Sequence, residues 1–415
     1  MSFKKKVIYN LFIQAIGPGL SFLSIFLIAR FLGPATQGKF ANFKSIVDLT
    51  TTIGVFGFPQ SFVYLINKLK VPPKDLAILS IIYSVLFTVL AFFIIWIFIY
   101  FNYIEIGWLN SKTINILVLS VICGVLVLHG VWRGVYLGYN SGPKFALLSI
   151  LPAVFLFVSI AIFLFRSTFS PFEIYLYSTF PVFIFIWLMM SPILLQKAPQ
   201  QTNKLPWNEL WRHGFHAFLQ ALAMIVQPIV AYWLIKRYIG TEKDIGFFSL
   251  GLFLVQGFAV PIGMISPLLF ERWTKNEDNS LLRKLHKLTP KLLLLDVLLG
   301  LLLSAAIYFL IPILFSKKYV DAIFLSQVLL FTVPLMFHIK VLLPAIHAGG
   351  FPQLNTHSGI LRIVSFAIIA MIFILCSHIT LITLAIAWSL AEVVASAYTF
   401  YCLRVINKEL DTNFT

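Results

Sequence analysis

Charge is scarce in this sequence, and negative charge scarcest. Its 415 residues include 15 aspartates and glutamates against 31 lysines and arginines, and charged residues make up 11% of the chain. A soluble domain needs far more polar surface than that to face water. Cysteine is nearly absent as well. Cys123, Cys376 and Cys402 fall in or at the ends of apolar stretches with no paired spacing, which argues against a disulfide framework or a thiolate metal site. No His-x-x-x-His pair, Walker loop or Gly-x-Ser-x-Gly elbow lies on a suitable element, so the motifs of zinc hydrolysis, nucleotide hydrolysis and serine-hydrolase chemistry are missing.

What is present is apolar. With 60% hydrophobic residues and a mean hydropathy of +0.94, the chain reads as an all-α polytopic membrane protein. Stretches long enough to cross about 30 Å of hydrocarbon as helices, roughly 20 residues each, fall near 7–32, 40–66, 76–100, 113–137, 145–166, 174–196, 209–235, 245–271, 290–315, 322–346, 357–378 and 380–404. Twelve transmembrane helices are expected. The first follows Lys4, Lys5 and Lys6, is longer than a signal-peptide core and lacks a small-residue cleavage site, so it is expected to remain as a helix. Loops rich in lysine and arginine stay cytoplasmic, and their distribution predicts that both termini are cytoplasmic. This topology and anionic lipid account for the net charge of +16, and no nucleic-acid partner is expected.

The chain carries an internal echo. Arg30-Phe31-Leu32-Gly33, followed by Gly38 and Pro59, recurs as Arg237-Tyr238-Ile239-Gly240, followed by Gly246 and Pro267; Pro143 is echoed by Pro352. Matches in the same order among hydrophobic segments describe two like halves, an arrangement typical of carriers that alternate around a central cavity. The breaker-rich link from Lys197 to Pro206 separates them, giving a six-helix lobe over 1–200 and another over 201–415. Gly17-Pro18-Gly19 and Pro59, Pro152, Pro181, Pro228, Pro261, Pro267, Pro334 and Pro344 mark expected bends. The outer loops are short, leaving little material for a catalytic site at the outer surface. A transporter needs only its helices.

Ionisable groups inside the membrane carry the functional reading, because each costs at least about 2.5–3.5 kcal/mol to insert and so faces a wet cavity or a partner. Lys44 and Asp48 share one face of the second helix, and His129 and Arg133 have the same spacing in the fourth. His338 and Lys340 fall in the tenth, Arg362 in the eleventh, Asp296 in the ninth and Glu392 in the twelfth. Arg30 and Arg237 approach the outer ends of equivalent helices. The candidate anion-binding set is therefore Arg30, Lys44, Arg133, Arg237, Lys340 and Arg362, since guanidinium groups fit phosphate oxygens through forked hydrogen bonds. Snorkelling to the interface is the competing reading for the arginines. Asp48 and Glu392 are candidates for coupling protons or sodium to transport, with pairing to a neighbouring cation as the plainer alternative. Glu271 and Asp296 are further candidates for the same role.

The segment Asn10-x-x-x-Gln14, then Ile28-Ala29-Arg30-Phe31-Leu32-Gly33-Pro34-Ala35-Thr36-Gln37-Gly38-Lys39-Phe40, resembles the first-helix signature of Wzx-type polysaccharide flippases, members of the multidrug, oligosaccharidyl-lipid and polysaccharide exporter superfamily. Ala41-Asn42-Phe43-Lys44 and Leu314-Phe315-Ser316-Lys317-Lys318-Tyr319 also look like that group. The resemblance implies a V-shaped pair of six-helix lobes around a central cavity. It implies transport rather than catalysis: an undecaprenyl-pyrophosphate-linked oligosaccharide moved from the inner to the outer leaflet of a bacterial cytoplasmic membrane, with membrane lipids, polysaccharide polymerase and chain-length proteins as partners. No cofactor is implied. The chain departs from lipid II flippases in having no apparent thirteenth and fourteenth helices, and from drug exporters in lacking an acidic residue in the first helix. A drug or organic-cation antiporter, which wants an acidic cavity, and an integral membrane glycan transferase or polymerase, which wants a catalytic loop, remain as alternatives.

Overall fold

The computed structural model describes residues 3–67, 69–100, 113–139, 142–166, 170–196, 206–275, 280–336, 339, 342, 346 and 352–412. Every regular element among them is helical: α1 (Phe3–Leu27), α2 (Pro34–Val55), α3 (Phe58–Asn67), α4 (Pro73–Tyr100), α5 (Thr113–Gly138), α6 (Gly142–Leu164), α7 (Pro171–Leu194), α8 (Trp207–Leu234), α9 (Glu242–Lys275), α10 (Ser280–Phe315), α11 (Ile323–Leu330), α12 (Pro352–Leu375) and α13 (Leu381–Thr412). Ten helical stretches among the described residues are long and apolar enough to cross a membrane. The protein is a multi-pass membrane protein. The expected eighth segment coincides with α9; the expected tenth begins at α11 and runs into residues that are only partly described.

The expected second helix is broken. α2 stops at Val55, Phe56 and Gly57 take left-handed backbone conformations (φ 44° and 70°), and α3 starts afresh at Phe58. Pro59 therefore sits in the first turn of a new helix, where its missing N–H costs nothing, rather than bending a continuous one. Elsewhere prolines are carried within helices: Pro18 in α1, Pro152 in α6, Pro181 in α7 and Pro228 in α8.

The internal echo has a conformational counterpart. α1 runs into a π-helical turn at Ile28–Leu32 and α8 into another at Ile235–Ile239. Each turn holds the arginine of its Arg-x-x-Gly motif, and each ends on a glycine with positive φ, Gly33 at 82° and Gly240 at 126°. A left-handed glycine is the least costly way to stop a helix and turn the chain into the next one.

Two compact units result, and each borrows from the other half of the sequence. The first comprises residues 1–27 with 42–225; the second comprises 28–41 with 226–415. In the first unit α1 packs on α6, α4 and α3 on α5, and α7 on α5 and α6. Gly130, Gly134 and Gly138 make one face of α5 smooth enough for close approach. A Cβ on Gly134 would lie 2.4 Å from Pro59 Cα. Small-residue rows of this kind substitute for hydrophobic driving force, which is weak between helices surrounded by lipid. The borrowed start of α8 is fixed in this unit by its backbone. Ser61 donates to the Leu210 carbonyl at 2.7 Å, Gly214 meets the Phe56–Gly57 break, and Trp211 and Phe218 pack on Phe56 with ring centroids 5.0 and 4.5 Å apart.

The second unit is built on α12 against α13, α11 against α9, α10 and α13, and the borrowed residues 28–41. Gly38 in α2 and Gly246 in α9 each meet backbone at the start of the other's helix. Gln37 accepts a 2.5 Å hydrogen bond from Tyr319. Burial pushes the Tyr319 phenol well up from its ordinary value, so it stays a donor to that buried amide.

Candidate functional site

The first unit contains two sets of charged groups. On α2, Lys44 is ion-paired with Asp48 one turn on, their side chains 36% and 39% exposed. This pair follows from the local spacing expected of oppositely charged residues four apart on a helix. The second set is on α5. His129 is buried, with Nε2 2.7 Å from the Leu148 carbonyl on α6. One turn later Arg133 stacks its guanidinium over Phe145, 5.2 Å from the ring centroid, while its buried Nε has no hydrogen-bond acceptor. Lys144 lies 5.7 Å from the centroid of Tyr136 in the same region. The glycine face of α5 toward α3 leaves the neighbouring face, with His129 and Arg133, turned to α6.

In the second unit Arg362 and Glu392 meet between α12 and α13. The guanidinium donates to the carboxylate at 3.2 Å, with side chains 14% and 2% exposed. Arg362 Nε has no acceptor, nor does the buried Trp388 Nε1 one turn from Glu392. Below the pair, Ser396 donates to the Glu392 carbonyl at 2.7 Å, Ser358 and Thr399 hydroxyls are 3.1 Å apart, and His357 Nδ1 is 3.3 Å from the Tyr398 hydroxyl.

The six expected anion-binding residues thus have different surroundings. Arg30 donates to the carbonyls of Ile313 and Leu314, the latter at 2.8 Å, and so caps the C-terminal turn of α10. A cation there satisfies carbonyls that the helix leaves free and sits favourably in the helix dipole. Lys44 and Arg362 are each held by a carboxylate, Asp48 and Glu392, that the sequence offers as an ion-coupling candidate. Arg237 is exposed in its π-helical turn. Lys340 lies outside the described residues, as do His338, most of the link that follows Lys197, and the side chains of Glu271 and Asp296. Of the five that are described, Arg133 and Arg237 are the two for which neither an ion pair nor a carbonyl acceptor is found, and of these Arg237 is exposed whereas Arg133 has a buried Nε.

Sequence reasoning missed the companions of the second pair, Ser358, Ser396, Tyr398 and Thr399. Their signal was present as spacing. Ser358 and Arg362 are four apart on α12, and Glu392, Ser396 and Thr399 follow at four and three on α13, which places each set on one helical face.

No protein-family model matches the chain, nor does any curated protein sequence. Solved structures do. The chain is similar to a multidrug resistance MATE family transporter of the MOP superfamily in its inward-facing conformation, with a TM-score of 0.73 at 18% identity over 97% of this chain and 99% of that one. It is similar to the lipid II flippase MurJ in an inward closed conformation, with a TM-score of 0.67 at 14% identity over 96% and 87% of the two chains. A MOP superfamily transporter from Pyrococcus furiosus, described as having a binding pocket of reverse polarity, gives a TM-score of 0.65 at 16% identity over 98% and 96%. The fold is that of these membrane transporters and flippases.

Proposed function

We propose that this protein is a flippase that carries a pyrophosphate-linked oligosaccharide on a polyprenyl lipid across a bacterial cytoplasmic membrane, from the inner to the outer leaflet. In this reading both termini are cytoplasmic, two six-helix halves divide near residue 200, and Arg30, Lys44, Arg133, Arg237, Lys340 and Arg362 supply the positive charge met by the head group.

The observation that carries the reading is Arg133. A guanidinium within a membrane-spanning helix, stacked on an apolar ring and left without an acceptor at Nε, is costly unless an anion completes it. A phosphate with its several oxygens matches the fork geometry. Asp48 and Glu392, the described carboxylates away from the ends of the spanning helices, are already neutralised by Lys44 and Arg362, which disfavours an acidic site for organic cations.

Each of those pairs joins a proposed substrate cation to a proposed coupling carboxylate, and this gives a mechanism. A proton on the carboxylate releases its cation toward phosphate. Conversely, a phosphate that takes the cation leaves a buried carboxylate to be neutralised by a proton. The two binding events favour one another, and by linkage they do so reciprocally.

The direct test is reconstitution of the purified protein into vesicles loaded with a fluorescent undecaprenyl-pyrophosphate oligosaccharide, followed by quenching from outside. Protein-dependent flipping, reduced in Arg133→Ala, is expected. Equal rates with and without protein, or transport of an organic cation in its place, would overturn the proposal.

A further inference from the structure

The turn that follows α10 carries groups for which the carrier reading has no task. Ser316, the residue between α10 and the short 3-10 helix Lys317–Ala322, has φ 82° and ψ 164°. A left-handed φ with an extended ψ is territory that glycine alone enters without strain, and residues held there cluster at ligand clamps and switches. The corners after α1 and α8 turn on glycine, at Gly33 and Gly240; here a serine takes the strain instead. Its Oγ is buried and has no hydrogen-bond partner among the described residues. Lys317 and Lys318 come next, both exposed, and neither forms an ion pair among the described residues.

The charges of this corner do not cancel. Asp321, the acidic residue of the same segment, is paired with Lys243 of α9 at 3.7 Å. Arg30 is engaged through Nη1 with the Ile313 and Leu314 carbonyls just before the serine, and adds positive charge there. Lys318 folds back over the α1–α2 turn, its Cδ 3.6 Å from where a Cβ on Gly33 would lie. Two ammonium groups and an unused hydroxyl are donors of the kind that phosphate oxygens accept.

An apolar strip leads away from the same corner. Ile313, Phe309, Leu302 and Leu298 are all exposed, and their spacing of four, seven and four residues places them on one face of α10. Val320 and Phe324, on the segment after the lysines, are exposed beside it. Positive charge at the end of a long apolar face matches the outline of a lipid, with its phosphate at the helix end and its chain along the strip.

We infer that this corner binds an anionic phospholipid, its phosphate held by Ser316, Lys317 and Lys318 and an acyl chain laid along the exposed face of α10. A soluble anion has no use for the strip. A pyrophosphate lipid is the poorer match, because ammonium groups are single point charges that suit one phosphodiester, whereas a pyrophosphate gains most from guanidinium forks. In the topology proposed above the corner lies on the outer side, where lysine is scarce in membrane proteins, and the lipid belongs to the outer leaflet. The leaflet rests on that topology; the binding itself does not.

Native mass spectrometry of the purified full-length protein in detergent, titrated with phosphatidylglycerol, tests this without a transport substrate. Lys317→Gln with Lys318→Gln is expected to weaken binding roughly twenty-five-fold, since each cation near an anionic lipid surface contributes about fivefold. Both side chains are exposed, so the variant keeps its fold. Ser316→Gly loses the hydroxyl and the strain together; it should bind phosphatidylglycerol less tightly and yet unfold at a higher temperature without lipid. Arg404→Gln, which removes an exposed cation near the C-terminal end of α13, leaves the affinity unchanged. Phosphatidylglycerol binding that is equally tight in the parent and the double lysine variant, or no tighter than that of phosphatidylcholine, overturns the site. Undecaprenyl pyrophosphate that binds more tightly than phosphatidylglycerol, and is lost in the same double variant, overturns the phospholipid assignment and gives the corner to the carried lipid.

Discussion

Gly38 and Gly246 each press against the backbone where the other's helix begins: a Cβ on Gly38 would fall 1.8 Å from the Glu242 carbonyl oxygen, and one on Gly246 would fall 1.9 Å from that of Pro34. These are the glycines of the two motif copies. Their crossing, inside the second unit, gives the repeated Arg-x-x-Gly sequence a structural reason in both copies.

Alanine at either position should therefore unsettle the second unit. Overpacking against backbone costs about 1–3 kcal/mol and occasionally more. Thermal unfolding in detergent is expected several degrees lower for Gly38→Ala and Gly246→Ala. Gly19→Ala is the control, because nothing lies within 4 Å of its would-be Cβ and alanine favours a helix interior by about 1 kcal/mol. A Gly38→Ala protein as stable as the parent would contradict the crossing.

Arg133 should be sensitive to shape as well as to charge. Arg133→Ala is expected to lose most flipping in reconstituted vesicles while folding normally, since no salt bridge or carbonyl is abandoned. Arg133→Lys should keep only part of the rate, because an ammonium cannot form the forked contact or stack on Phe145 in the same way. Retention of full activity in both variants would remove Arg133 from the substrate path.

The two ion pairs compete with the proposed head group for Lys44 and Arg362. Removing the charge of the carboxylate frees its cation, so Asp48→Asn should raise affinity for a pyrophosphate lipid at neutral pH. Glu392→Gln alone strands a buried guanidinium, a loss of about 3–5 kcal/mol in comparable cases, so Glu392→Gln with Arg362→Met serves as its folded partner. Affinity that is unchanged in both Asp48→Asn and the double variant would sink the linkage.

Topology gives a fourth expectation. Reporter fusions at Gln200 and at Lys112 should report opposite sides of the membrane, the first cytoplasmic. The same side for both would refute the orientation drawn from the basic loops.

How much of this the sequence disclosed depends on how far apart the interacting residues lie. The Lys44–Asp48 pair is one helical turn long and was readable from spacing alone. Arg362 and Glu392 are thirty residues apart on two helices, and nothing local says that they meet; each was assigned a separate task. Arg30 shows the same limit, since the carbonyls it holds belong to α10, far along the chain. The motif copies could be seen as repeated letters, but a π-helical turn has no distinct composition, so Ile28–Leu32 and Ile235–Ile239 read as ordinary helix. The break at Phe56–Gly57 lies inside the stretch 40–66, whose length and overall hydropathy read as one helix although Gly57 and Pro59 stand at the break. It depends on Gly214 and on the rings of Trp211 and Phe218, all from the other half of the sequence.

The borrowed segments also set a timetable for biosynthesis. Residues 28–41 leave the ribosome early but belong to a unit whose other members begin at residue 226. At about 5–20 residues per second, they wait on the order of ten seconds or more for their packing partners. The first unit, in turn, is incomplete until residues 207–225 have been made. Neither half can therefore finish as an independent insertion product. A chain divided near residue 200 would yield two fragments that each lack a piece of one unit and carry a piece of the other, so they could mature only by finding each other in the membrane.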